Sequence, residues 1–151
     1  MKDIIKVLKM GKSDTRYENE LKELLENTGH GHVVIRSAGS MGDADLVAID
    51  KWTKTAVIIE VKSKKAKVEK AYYVSRYEDA KAQYADLCKH AATDIKTYYA
   101  VRWKDAPELR GKPLDDKWEI FGVKRLMIAF KTWPVLQMGN GNTIDEVFGV
   151  K

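Results

Sequence analysis

The chain has 151 residues, 44% hydrophobic and 32% charged, with a formal net charge of +5 and a single cysteine. A chain of this length fits one domain, which buries about 68–70% of its unfolded surface without needing disulfides to hold a core. The lone Cys88 excludes an internal disulfide, no apolar stretch is long enough to span a membrane, and the positive balance points to a polyanionic partner.

Residues 1–12 alternate apolar and basic side chains. They read as a basic N-terminal arm or as an extension of the first element, and charges interrupt them too often for a signal-peptide core, so a reducing, cytoplasmic setting is expected. Residues 13–28 have helical periodicity. Tyr17, Leu21, Leu24, Leu25 and Thr28 make an apolar face, Thr15-Arg-Tyr-Glu18 fits a capping box, and Gly29 ends the helix. Glu18 and Glu20 lie at opposite margins of that face, and periodicity does not choose between them as a site residue. His32 to Ser37 is an expected strand that carries Arg36 towards a small-residue loop, Ala38 to Ala44. Gly39 and Gly42 there allow close backbone approach and Ser40 can hydrogen-bond a phosphate, although an ordinary turn has the same composition.

Ala44 to Asp50 and Thr55 to Ser63 read as a β-hairpin around a polar turn. On its second strand Val57, Ile59 and Val61 point one way, and Glu60 and Lys62 the other. Charges on an otherwise apolar strand are costly without partners. Antiparallel pairing brings Asp45 beside Glu60, so two carboxylates and an ammonium meet, a set suited to a hard cation such as magnesium. Asp, a spacer, then Glu-x-Lys is the minimal pattern of the restriction-enzyme-like nuclease superfamily. A charged, solvated strand face accounts for these three residues equally well.

Lys64, Lys65, Lys67 and Lys70 leave the hairpin as a lysine run that suits phosphate contact. Ser75-Arg-Tyr-Glu78 is a second capping box. It opens a helix to about Ala92 with Tyr77, Ala80, Tyr84, Leu87, Cys88 and Ala91 on one stripe. Thr97 to Val101 is a strand expected to run parallel to the second hairpin strand. Asp105 to Lys117 is a surface loop and Trp118 to Val123 a further strand, with Leu126 to Phe130 and Val135 to Met138 extending that edge. Thr143 caps a short helix, Ile144 to Phe148. His30, His32, His90 and Cys88 lack the spacing of a zinc site. No repeat or linker divides the chain, so residues 1–151 are expected to form one domain.

Four motifs stand in a fixed order: Glu18-Asn-Glu-Leu21, Arg36-Ser-Ala-Gly-Ser40, Asp45-Leu-Val-Ala48 and Ile59-Glu-Val-Lys-Ser63. With Tyr73-Val74, Tyr98-Tyr-Ala-Val-Arg102 and Thr143-Ile-Asp-Glu-Val-Phe-Gly149, they resemble the archaeal-type Holliday junction resolvases, cellular and viral, over about residues 11 to 149. The resemblance implies an α/β fold: a restriction-endonuclease-like core with a central mixed β-sheet of about five strands flanked by helices. It implies a homodimeric, magnesium-dependent endonuclease, with manganese as a substitute, that nicks four-way junction DNA symmetrically in recombination and repair. By motif, Glu18 is the helix acid, completing the metal shell through water. Asp45 and Glu60 are metal ligands together with the Val61 carbonyl, Lys62 is the catalytic lysine, and Ser40 belongs to the catalytic loop. Arg36, Ser40, Lys64 and Lys65 are the expected DNA contacts. Register with the following leucine selects Glu18 over Glu20.

The chain also departs from the family pattern. Asn19 stands where many relatives carry an arginine, and the Ser40–Asp45 and Asp45–Glu60 spacers and the 105–117 loop are longer, which bears on junction preference. Whether Lys62 also takes a proton stays open at this level, because neighbouring lysines lower its pKa and the carboxylates raise it. The alternative readings are a nuclease for other branched or damaged DNA and a DNA-architectural protein without catalysis.

Overall fold

The computed structural model of the chain describes residues 15–28, 31–36, 44–106 and 117–149. The expected N-terminal arm, Ser40 and most of the 105–117 loop lie outside the described residues. A helix over residues 15–26 (α1) is followed by β1 (His32–Arg36), β2 (Leu46–Asp50), β3 (Ala56–Lys65), β4 (Ala71–Tyr73), α2 (Glu78–Ala92), β5 (Lys96–Lys104), β6 (Trp118–Gly122), α3 (Val123–Ala129), β7 (Val135–Gln137) and α4 (Ile144–Phe148). Five of the strands form one mixed sheet in the order β1-β2-β3-β5-β6, and β4 pairs with β7 in a separate two-stranded sheet.

Alternation along β3 sets the layers. Val57, Ile59 and Val61 pack against Tyr17, Leu21 and Leu25 of α1 and Phe148 of α4. On the other face Ile58 joins a core made by Tyr84, Leu87 and Ala91 of α2 with Val123 and Leu126 of α3. A strand covered on both faces reads as a nearly continuous apolar run, which is how β3 reads apart from Glu60 and Lys62. The strand-helix-strand unit β3-α2-β5 pairs in parallel, while β1-β2, β2-β3 and β5-β6 are antiparallel. The expected mixed, helix-flanked sheet is therefore present.

Several local expectations are corrected. Thr15 is already helical, so it is not the cap of α1. The Ser75–Glu78 capping box does not form: the N-cap is Tyr77, without a side-chain cap bond. The turn before α2 is instead fastened by Arg76, whose guanidinium holds Glu69 with two hydrogen bonds. Tyr77, expected on the buried stripe, is 69% exposed. Leu126 to Phe130 is not an edge strand, because Val123 and Leu126 share one buried face at helical spacing in α3. Val135 to Met138 does not extend the main sheet either, since β7 turns away to pair with β4. Beside β6 lies Asn142 instead, exchanging two backbone hydrogen bonds with Ile120 at 2.7 and 2.9 Å. Thr143 caps α4 through a complete capping box with Glu146, as expected.

A buried carboxylate holds this last region together. Glu119 is 0% exposed in the middle of β6. One oxygen accepts from Trp103 Nε1 at 2.9 Å and from the Gly139 backbone N–H at 2.7 Å, and the other from the Gly141 N–H at 2.9 Å. The Gly139–Asn142 turn must pass close to this strand: a Cβ on Gly141 would meet Phe121 Cζ at 2.9 Å and Glu119 Cβ at 3.0 Å. Removing the carboxylate takes the acceptor from two buried donors, the Trp103 indole and the Gly141 N–H, and from the part-buried Gly139 N–H. Glu119→Ala is therefore expected to destabilise the fold by about 3–5 kcal/mol in denaturant melts, and Glu119→Gln by less. A loss below about 1 kcal/mol for the alanine variant would show that the turn is held by other contacts.

Candidate active site

The last antiparallel pair between β2 and β3 is Leu46↔Ile59. Beyond it a side chain continues the ladder: Asp45 Oδ2 accepts the Val61 N–H at 2.8 Å. This bond sets Asp45 against the segment of β3 that carries Glu60 and Lys62, the convergence expected from the hairpin register.

Glu60 is 3% exposed. Its Oε2 accepts from Gln83 Nε2 of α2 at 2.7 Å and lies 3.2 Å from Lys62 Nζ. Its Oε1 is buried and has no hydrogen-bond partner among the described residues. Burial raises the Glu60 carboxyl well above the usual carboxylate range; Lys62 opposes that shift, and the Asp45 carboxylate within hydrogen-bonding reach adds to it. For Lys62 burial acts downward, but Glu60, Tyr72 and Asp45 together hold the ammonium above its ordinary value. Lys62 Nζ lies 5.7 Å from the centre of the Tyr72 ring, so β4 forms one wall of the site.

Two adjacent carboxyl groups in a low-dielectric setting cannot both ionise unless a cation stands between them. An unpartnered buried carboxylate oxygen asks for the same thing. The donors here are hard oxygens, so Asp45 and Glu60 fit a divalent cation of the magnesium type. Among the described residues no three His, Cys, Asp or Glu side chains are grouped to hold a metal, so Glu18 does not close a three-ligand set with them. Glu18 is nonetheless buried, at 7% exposure, on α1. Its rival Glu20 has a structural role: Glu20 Oε1 accepts from Arg102 Nε at 2.9 Å and Trp118 Nε1 at 3.0 Å, clamping α1 onto β5 and β6.

Arg36 is exposed at the end of β1 and pairs in register with Leu46, the residue after Asp45. Lys65 is exposed at the end of β3. Lys64 is engaged at 2.7 Å by Glu69, which also holds Arg76. Two members of the site were missed in the sequence, Gln83 and Tyr72. Gln83 had a signal: it lies three residues after Ala80 and four before Leu87, a half-buried polar residue beside the buried face of the helix. Tyr72 had none, because its place depends on β4 pairing with a strand more than sixty residues away.

The Glu60 carboxyl also makes a stability prediction. Its folded pKa lies above its ordinary value of 4.5, so above that pH the unfolded chain holds fewer protons and stability falls as pH rises. An amide mimics the protonated form. In chelator at pH 7, Glu60→Gln should melt higher than the parent, by about 2–8 °C for each kcal/mol relieved, with the gap closing towards pH 4. A lower melting temperature at pH 7 would contradict this account of the site.

Comparisons with known proteins identify the family. The family model for the archaeal Holliday junction resolvase, Hjc, matches residues 9–126. Among solved structures, that of Archaeoglobus fulgidus Hjc, a Holliday junction resolvase from an archaeal hyperthermophile, aligns with a TM-score of 0.60 at 25% identity. The alignment covers 89% of this chain and 99% of that one. No curated protein matches the chain. Because the family model spans most of the sequence, including the Asp45 and Glu60-x-Lys62 strands, the chain belongs to the archaeal Holliday junction resolvase family of crossover junction endodeoxyribonucleases.

Proposed function

We propose that this chain resolves four-way DNA junctions by magnesium-dependent hydrolysis of phosphodiester bonds. It acts as a homodimer whose two sites nick opposing strands symmetrically. The observation that carries the reading is Glu60 Oε1, a buried carboxylate oxygen with no partner among the described residues, beside Asp45 and Lys62. Asp45, Glu60 and the Val61 carbonyl would hold the ion, with Glu18 reaching it through water and manganese as a substitute. When bound, the ion polarises the scissile phosphate and acidifies the attacking water.

The chain's own residues do the rest. The bond from Val61 N–H keeps Asp45 facing Glu60. Lys62, held above its ordinary pKa, acts as a cation that stabilises charge growing on the phosphate, which favours this role over that of proton acceptor. Arg36 at the end of β1, Ser40 and, from the end of β3, Lys65 contact the DNA backbone. Lys64 would first have to exchange Glu69 for a phosphate. Such contacts fix position, and junction choice follows from the shape of the DNA and the spacing of its phosphates. Support for a second copy comes from Val33, Ile35 and Val47, which expose apolar surface on one face of the β1–β2 edge. A reducing, cytoplasmic setting accords with the free Cys88. No described helix is long and apolar enough to cross a membrane.

The test is an immobile four-way junction incubated with magnesium, with both nicks mapped. Paired symmetric nicks are expected, and Asp45→Asn should abolish cutting while retaining junction binding. Single or asymmetric nicks would favour a nuclease of other branched DNA, and binding without any cutting an architectural protein. Affinity should fall linearly on a log–log plot against salt, and Lys65→Ala should reduce that slope by about 1. An unchanged slope would remove Lys65 from the interface.

A further inference from the structure

Resting on the metal-site reading above, we infer that Gln83 is a positioning residue that decides which edge of the Glu60 carboxylate is offered to the cation. One oxygen of Glu60 takes both available donors, the Gln83 amide at 2.7 Å and the Lys62 ammonium at 3.2 Å. The other takes none among the described residues. Lys62 alone would orient the carboxylate poorly, because an ammonium on a four-carbon stem is a point charge with rotatable donors. A planar amide carried on a packed helix is a directional donor.

The reach of Gln83 is itself fixed by packing. Its neighbour Tyr84 stacks on Tyr99, with ring centroids 6.5 Å apart and planes at 18°. Tyr99 is the register partner of Glu60 across the parallel β3–β5 pair. The ring stack thus sets the height of α2 against the strand position that carries Glu60. Ala80, Leu87 and Ala91 bury the same helical face and prevent α2 from rolling. Groups that orient a ligand in this way typically contribute 10–100-fold to metal affinity or activity.

The test uses the full chain with Gln83→Met, which keeps length and apolar stem but removes the N–H donor, and Gln83→Ala, which keeps the helix. Manganese binding is measured by calorimetry without DNA, and junction binding by gel shift in chelator. Both variants should bind manganese at least about 10-fold more weakly, with junction binding in chelator unchanged. The magnesium needed for half-maximal cutting should rise by a similar factor, and the rate at saturating magnesium should largely recover. A purely structural role for Gln83 would not move metal affinity at constant junction binding. Variants that bind manganese as the parent does overturn the role of Gln83 alone. A parent chain that binds no manganese overturns the metal site and this inference together.

Discussion

The structure turns on one unfavourable placement, a carboxylate buried on a central strand with one oxygen that accepts no hydrogen bond from the described residues. Such a group costs free energy, because burial opposes its charge and the Asp45 carboxylate repels it. It persists because the surroundings over-determine it. β3 is paired on both sides, its opposite face is sealed by α1 and α4, and α2 lies over Glu60 with Gln83 aimed at it. Local rules of folding are broken at functional sites and upheld around them, and β3 follows that division.

The chain contains its own control. Glu60 and Glu119 each sit in an apolar strand of the same sheet and look alike in the sequence. Glu119 has three donors shared between its two oxygens, and its work is to anchor a turn. Glu60 has both donors on one oxygen. The same distinction separates the two acids of α1. Glu20 is committed to Arg102 and Trp118, which ties the helix to β5 and β6 and so secures the face that carries Glu18.

The small second sheet belongs to this arrangement. Pairing with β7 holds β4 in place, which sets Tyr72 over Lys62 and within 6.3 Å of the Tyr99 ring. Glu69 pairs with Lys64 and Arg76 near the same corner, and those two cations hold its carboxyl down at about 2. Lys64 thereby shares one carboxylate with Arg76, while Lys65 stays exposed at the end of β3.

What the sequence determined by itself was whatever depends on short-range periodicity. The alternation of Val57, Ile59 and Val61 against Glu60 and Lys62 needs only the two-residue repeat of a strand, and it put the carboxylate and ammonium on one side. A short turn fixed the hairpin register and brought Asp45 to them. The Thr143 cap needs only neighbours three residues apart. Long-range pairing was decided by the tertiary structure, because nothing local distinguishes β7 beside β4 from β7 on the sheet edge. Val123 to Ala129 became a helix because two of its residues, Val123 and Leu126, had a core to enter on one face. Whether a buried glutamate anchors a turn or awaits a cation depends on donors supplied by distant segments, and only the folded chain brings those donors within reach.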